Sequence, residues 1–160
     1  MTARDPGPRA GSLTVNRKAL RDYRVLEKIE AGIALLGSEV KVIRNGEAGL
    51  TGAFARAAGG EMWLHQVTIP PYTFAHQLNH DALRTRRLLL HRSQIRRLAA
   101  AQEQDGLTIV PLRLYLTPKG IVKVELGLCR GKRQEDKRET IRRREADREA
   151  ERAMARHGRG

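Results

Sequence analysis

Few residues in this chain have the types and spacing that bond-making chemistry needs. His76 and His80 stand four apart, the separation that sets two imidazoles on one helical face to hold a metal. Gln77 between them is no general base, and Pro70-Pro71 just upstream favours loop. Both histidines are therefore expected on a solvent-facing loop, with no metal. Cys129 ends an apolar strand, where a thiol is more often a small hydrophobe than a nucleophile. The carboxylates lie beside arginines, as surface ion pairs do. No Gly-rich phosphate loop, Gly-x-Ser-x-Gly or His-Glu-x-x-His occurs, so no catalytic residue and no cofactor are expected. A metal-dependent nuclease would need clustered carboxylates, which the sequence does not show.

The basic residues carry the positive signal. The 160 residues hold 31 Lys plus Arg against 18 Asp plus Glu, a net charge of +13. An excess that large attracts polyanions, and nucleic acid is the commonest one in cytosol. Lys119, Lys123 and Lys132 surround the outward face and exit of one clear strand. Arg17, Lys18 and Arg21 precede the first strand, Lys41 and Arg44 ride on a short helix, and Arg84, Arg86 and Arg87 form a cluster before Leu88. With aromatics at 4%, stacking is not the expected main mode; a structured RNA read by charge and shape fits better. No apolar run is long enough to span a membrane and no basic helix has a broad apolar face, so a soluble cytoplasmic protein is expected.

The elements that must position these charges are mostly strands. Val122, Val124, Leu126 and Leu128 point one way while Lys123, Glu125 and Gly127 point the other. Leu112, Leu114 and Leu116 alternate with Arg113 and Tyr115 in a preceding strand, and Pro118-Lys119-Gly120 supplies the turn. Gly59-Gly60 joins Ala53–Ala58 to Met62–Ile69 as a hairpin. Tyr23–Glu30 and Gly32–Leu36 read as strands around Ala31-Gly32. Two helices are expected: about 92–105, ended by Asp105-Gly106, and about 38–45, with Ser38 as N-cap. The fold class is mainly β, a small closed barrel of the oligonucleotide-binding (OB) type with peripheral short helices. Residues 1–15 are expected to be a mobile arm, 16–130 the barrel, and 131–160 a basic tail too poor in apolar residues to order alone. In that tail Arg144, Arg148, Arg152 and Arg156 recur every four residues, a stripe about 18 Å long in a helix.

Several short runs then bear on one another. Asn16-Arg17-Lys18-Ala19, Asp22-Tyr23, Glu30-Ala31-Gly32-Ile33, Gly37-Ser38-Glu39-Val40-Lys41, Asn79-His80-Asp81 and Arg87-Leu88-Leu89-Leu90-His91 occur in that order. Leu107 to Leu116, Val122-Lys123-Val124-Glu125-Leu126, Gly131-Lys132 and Asp136-Lys137-Arg138 follow. Together they resemble the SsrA-binding protein family (small protein B, SmpB), partners of transfer-messenger RNA in bacterial trans-translation. The resemblance covers Asn16 to about Met154.

It implies an RNA-binding adaptor that holds the tRNA-like domain of transfer-messenger RNA in place of an anticodon arm. The complex, delivered by elongation factor Tu with GTP, would enter the vacant A site of a stalled 70S ribosome. The tail would then become helical in the small-subunit decoding centre and empty mRNA channel. By motif match, Asn16, Glu30, Lys41, Leu90, Lys119, Lys123 and Lys132 would shape or line the RNA surface, with Arg17, Lys18 and Arg133 beside them. Asp136, Lys137 and Arg138 would serve accommodation, followed by the stripe Arg144, Arg148 and Arg152. Glu30 is expected to accept from a base, a 2′-hydroxyl or a neighbouring arginine that it orients. The chain departs from the common pattern at Arg21, where relatives often carry His, and at Glu135, where many carry an aromatic residue or His.

Overall fold

Strands with one apolar face each close on one another in the computed structural model, which describes residues 12–73 and 79–157, apart from the side chains of residues 133–141, 156 and 157. In chain order the elements are β1 (Ser12–Val15), α1 (Arg17–Asp22), β2 (Tyr23–Ile33), α2 (Gly37–Arg44), β3 (Phe54–Ala58), β4 (Glu61–His65), β5 (Arg86–Leu89), α3 (Arg92–Gln104), β6 (Thr108–Leu116), β7 (Val122–Gly131) and α4 (Lys132–His157). All strand pairings are antiparallel. The order β6-β3-β4-β5-β2-β7 returns to β6, which closes a barrel of the expected type. Closure hides the sheet edges that an open sheet would expose. Inward residues such as Ile29, Ala31, Leu64, Leu88, Ile109, Val124 and Leu126 fill it, joined by Val42 and Ile43 of α2 and Ile95 and Leu98 of α3.

β1 contradicts part of the expected mobile arm. Residues 1–11 lie outside the described residues, but Ser12 pairs with Tyr115 and Val15 with Arg113 on β6. β3 meets the same strand only at Ile109, so β1 takes the length of β6 that β3 leaves unpaired.

α1 was not expected. Asn16 starts it by accepting from the Ala19 N–H at 3.1 Å, while its own amide donates to the carbonyls of Leu50 (3.1 Å) and Pro111 (2.9 Å). The helix covers a second small core of Ala19, Val110, Leu112 and Cys129 on the outer side of β6 and β7. Leu112 is thus not on the face of Leu114 and Leu116 as alternation implies, because the register of β6 against β7 shifts between Pro111 and Arg113. Gly127 sits under this cluster: a Cβ there would lie 3.0 Å from Cys129 Sγ and 3.0 Å from Leu112 Cδ1.

β2 is one strand of 11 residues, not two around Ala31-Gly32. Gly32 is a site of close approach, not a turn: a Cβ there would come within 3.0 Å of Leu89 Cβ. The Gly59-Gly60 hairpin does form, with φ of 59° and 78° as a tight hairpin turn requires, but β4 stops at His65 because Gln66 turns left-handed at φ 61°. The basic cluster before Leu88 contains a strand, β5. Residues 131–160 were expected to lack order until bound; here α4 spans Lys132–His157, about 39 Å. Every described side chain from residue 142 to 155 on it is exposed. Among the described residues no helix is long and apolar enough to cross a membrane.

Candidate nucleic-acid interface

The short helix bearing Lys41 and Arg44 is held from inside. Leu36, not Ser38, is its N-cap, and the Leu36 N–H donates to Glu39 Oε1 at 2.8 Å. Glu39 is buried, and its two oxygens accept from Arg84 Nη2 and from Arg86 Nε, each at 2.5 Å. Arg86 is itself without exposure, and its Nη1 donates to the carbonyls of Val67 and Arg84 at 2.9 Å each. Burial alone would raise the Glu39 pKa, but hydrogen bonds from Arg84, the Leu36 backbone and Arg86, with the Arg86 charge, outweigh it and hold the carboxyl below its ordinary value. This corrects two expectations. The carboxylates are not all surface pairs, and Arg86 faces the interior, not RNA.

His80 is also buried, contrary to the solvent-facing expectation. Its Nε2 lies 2.8 Å from the Ile69 carbonyl and 3.0 Å from that of Pro70, and its Nδ1 lies 2.8 Å from Ser38 Oγ. Carbonyls only accept, so Nε2 carries the hydrogen and Nδ1 accepts from the serine hydroxyl. Ser38 thereby tethers α2 through His80 to the carbonyls of Ile69 and Pro70. His76 lies outside the described residues.

The outward face of β6, β7 and β2 gathers several of the proposed RNA residues. Register places Arg113, Glu125 and Glu30 in one cross-strand row, and Tyr115, Lys123 and Gly32 in the next. Glu125 receives Arg113 Nε at 3.1 Å and stands 3.8 Å from Lys28 Nζ; Glu30 stands 3.9 Å from Lys123 Nζ. The Arg113 guanidinium lies 4.3 Å over the Tyr115 ring. Burial, then a hydrogen bond to Glu30, raises the Tyr115 pKa and keeps its hydroxyl protonated as a donor. Glu30 is therefore oriented by a tyrosine and a lysine, not an arginine. Arg44 Nη2 donates to the Gly120 carbonyl at 3.0 Å and fixes α2 beside the turn that carries exposed Lys119. Lys41 Nζ lies 5.1 Å over the Tyr72 ring.

The remaining residues lie elsewhere. Arg17 and Lys18 are exposed on α1, Lys18 at the rim of its groove, and exposed Lys132 follows the opposite end of β7, about 26 Å from Lys123. Lys18, Asp22, Tyr23, Phe54 and Arg56 line an open groove of about 660 Å³ there. Asn16 is buried in the helix cap and shapes the surface without lining it, and Leu90 packs against the core. The side chains of Arg133, Asp136, Lys137 and Arg138 lie outside the described residues. Arg144, Arg148 and Arg152 are exposed on α4. Sequence reasoning missed Lys28, Arg113, Tyr115 and Glu125 as part of this face. Alternation marked most of them as outward, but only the register joins them.

Comparison with known proteins follows this geometry. The family described as SmpB protein matches residues 13–156. An SsrA-binding protein of Desulfitobacterium hafniense (strain DSM 10664 / DCB-2) is 50% identical over 145 residues, covering 91% of this chain and 92% of its own. One of Synechococcus elongatus is 52% identical over 145 residues, covering 90% and 94%. A solved structure described as "tmRNA-SmpB: a journey to the center of the bacterial ribosome" is similar with a TM-score of 0.64 and 49% identity, over 81% of this chain and 94% of that one.

Proposed function

The chain belongs to the SmpB protein family, and from that premise we propose that it is a non-enzymatic RNA-binding adaptor of trans-translation. It binds the tRNA-like domain of transfer-messenger RNA and carries it, with elongation factor Tu and GTP, to the A site of stalled ribosomes in the cytoplasm. The observation that supports this most is half-identity, over nine-tenths of the chain, to proteins named for binding SsrA.

The residues divide the work by position. Glu30, Lys119, Lys123 and Lys41 meet the RNA at one end of the barrel; their lysines neutralise phosphate, and Glu30 accepts from a 2′-hydroxyl or base. Asn16 and Leu90 act through the fold. Arg17 and Lys18 on α1 and Lys132 and Arg133 at the start of the tail add positive charge for the RNA, and Asp136, Lys137 and Arg138 serve accommodation. The exposed Arg144, Arg148 and Arg152 gain counterions only where phosphate surrounds the helix, in the decoding centre and empty mRNA channel. A helix whose described side chains from 142 to 155 are all exposed gains little stability by itself, so contact with the ribosome is what stabilises it. An occupied channel would exclude it, which makes the tail a test for a stalled complex.

The test separates grip from probing. Truncation after Arg133 is expected to leave affinity for the tRNA-like domain within about twofold while abolishing peptide tagging on stalled ribosomes. Affinity of the full chain should fall with salt at a log–log slope of several units, set by roughly five to eight phosphates. Equal loss of binding and tagging on truncation, or a flat salt response, refutes the proposal.

A further inference from the structure

The barrel has a second outward face that borders the groove beside α1 at Phe54 and Arg56 and whose remaining residues the reading above leaves unused. β3, β4 and β5 turn Phe54 and His65 outward in one cross-strand row, and Arg56, Trp63 and Arg87 in the next. The rings of Phe54 and His65 stack at 5.0 Å between centroids and 13° between planes. The Arg56 guanidinium lies 5.7 Å over Phe54. Trp63 Nε1 donates to the Ala58 carbonyl at 3.2 Å, which pins the half-buried indole to the hairpin. Both neighbours of Trp63 in its row, Arg56 and Arg87, are exposed. Glu61 is the one acidic residue in these three strands.

Three properties distinguish this patch from ordinary surface. The chain has two phenylalanines and one tryptophan, and one of the former and the sole tryptophan stand here beside a histidine ring. None of these rings belongs to the barrel core. The patch also lies across the barrel from the face described above: in the ring β6-β3-β4-β5-β2-β7, β4 is three strands from β7 in either direction. Planar rings between two guanidinium groups match an unpaired base and its flanking phosphates, since every base offers a π-face and arginine meets phosphate in bidentate fashion.

We propose that the Trp63 row, flanked by Arg56 and Arg87, is a stacking platform for an unpaired base of ribosomal RNA. The choice of ribosomal over transfer-messenger RNA rests on the proposed function, which assigns the opposite face to the tRNA-like domain. One molecule then bridges two RNAs with two chemistries: charge and shape on β7, base stacking on β4.

The sole tryptophan makes the test direct. Biosynthetic replacement by 7-azatryptophan labels position 63 alone, and its red-shifted absorption separates it from the tryptophans of ribosomal proteins. The full-length labelled chain, with a purified tRNA-like domain bound, is mixed with vacant 70S ribosomes. The expected result is quenching on ribosome binding and no change on binding the tRNA-like domain alone. The R87A variant, altered at an exposed position outside the groove beside α1, should keep its affinity for the tRNA-like domain and lose about tenfold in affinity for the ribosome. Quenching by the tRNA-like domain alone overturns the assignment to ribosomal RNA. Tenfold weaker ribosome binding without any quenching overturns stacking in favour of a ribosomal-protein contact, and unchanged ribosome affinity in the R87A variant overturns the site. A chain that fails to bind the tRNA-like domain at all refutes the proposed function instead.

Discussion

Replacing Glu39 by Gln tests how α2, which carries Lys41 and Arg44, is held to the barrel. The substitution keeps the shape of the side chain and removes its charge. Arg86 is without exposure and among the described residues has Glu39 as its one hydrogen-bonded carboxylate, at 2.5 Å; its other partners are the carbonyls of Val67, Arg84, Asp81 and Ala82. With Gln at position 39 the guanidinium stays buried and charged against neutral acceptors alone. Breaking one side of such a pair costs about 3–5 kcal/mol, a large share of the ~5–15 kcal/mol that holds a domain folded. At a urea slope of about 2 kcal/mol/M this lowers the unfolding midpoint by about 2 M. Equilibrium unfolding followed by Trp63 emission at neutral pH reads it. Because the folded carboxyl titrates below its ordinary value, its stabilisation is complete above the unfolded pKa of about 4.3 and is lost as pH falls through the lower folded one. The two midpoints should therefore converge as pH drops below about 4. A neutral-pH shift below about 0.5 M, or a gap that does not narrow in acid, refutes the reasoning.

Other positions give sharper local tests. Gly127→Ala drives a methyl against Cys129 and Leu112 and should cost about 1–3 kcal/mol, a fall of several degrees in thermal midpoint. Asn16→Ala removes the cap of α1 and leaves the Leu50 and Pro111 carbonyls without its donor; about 1–3 kcal/mol should be lost, read by urea unfolding. Burial pushes the Cys129 thiol up to about 11, so iodoacetamide should label it roughly a few hundredfold more slowly in the folded chain than in denaturant. Labelling at equal rates in the two states would show that α1 does not cover it.

The buried Glu39–Arg86 pair illustrates why a sequence misreads charge. A carboxylate and arginines 45 and 47 positions apart look like separate surface groups, and only closure of β5 beside α2 makes them one unit. The two misplaced histidine and serine roles have the same origin. Ser38 stands at a plausible cap position, but His80 reaches it across 42 residues and Glu39 takes over the cap. α1 had a local signal in Asn16, an N-cap residue ahead of Ala19 and Leu20, but six residues are too few for helical periodicity to stand out.

What the sequence by itself determined was local. Alternation marked the inward faces of β7 and of β6 from Leu114 onward, Gly59-Gly60 marked the β3–β4 turn and Pro118-Lys119-Gly120 the β6–β7 turn, and the net charge with the ordered family motifs indicated an RNA partner. Turn conformation and strand alternation depend on neighbouring residues, and net charge on composition alone. Tertiary structure decided which charges face water and which strands lie opposite. It set Lys123 beside Glu30 and Arg86 inside the wall, and it placed Trp63 across the barrel from Lys123. Those relations depend on register between strands distant in the chain, where a one-residue shift moves every side chain to the other face, and no local pattern encodes it.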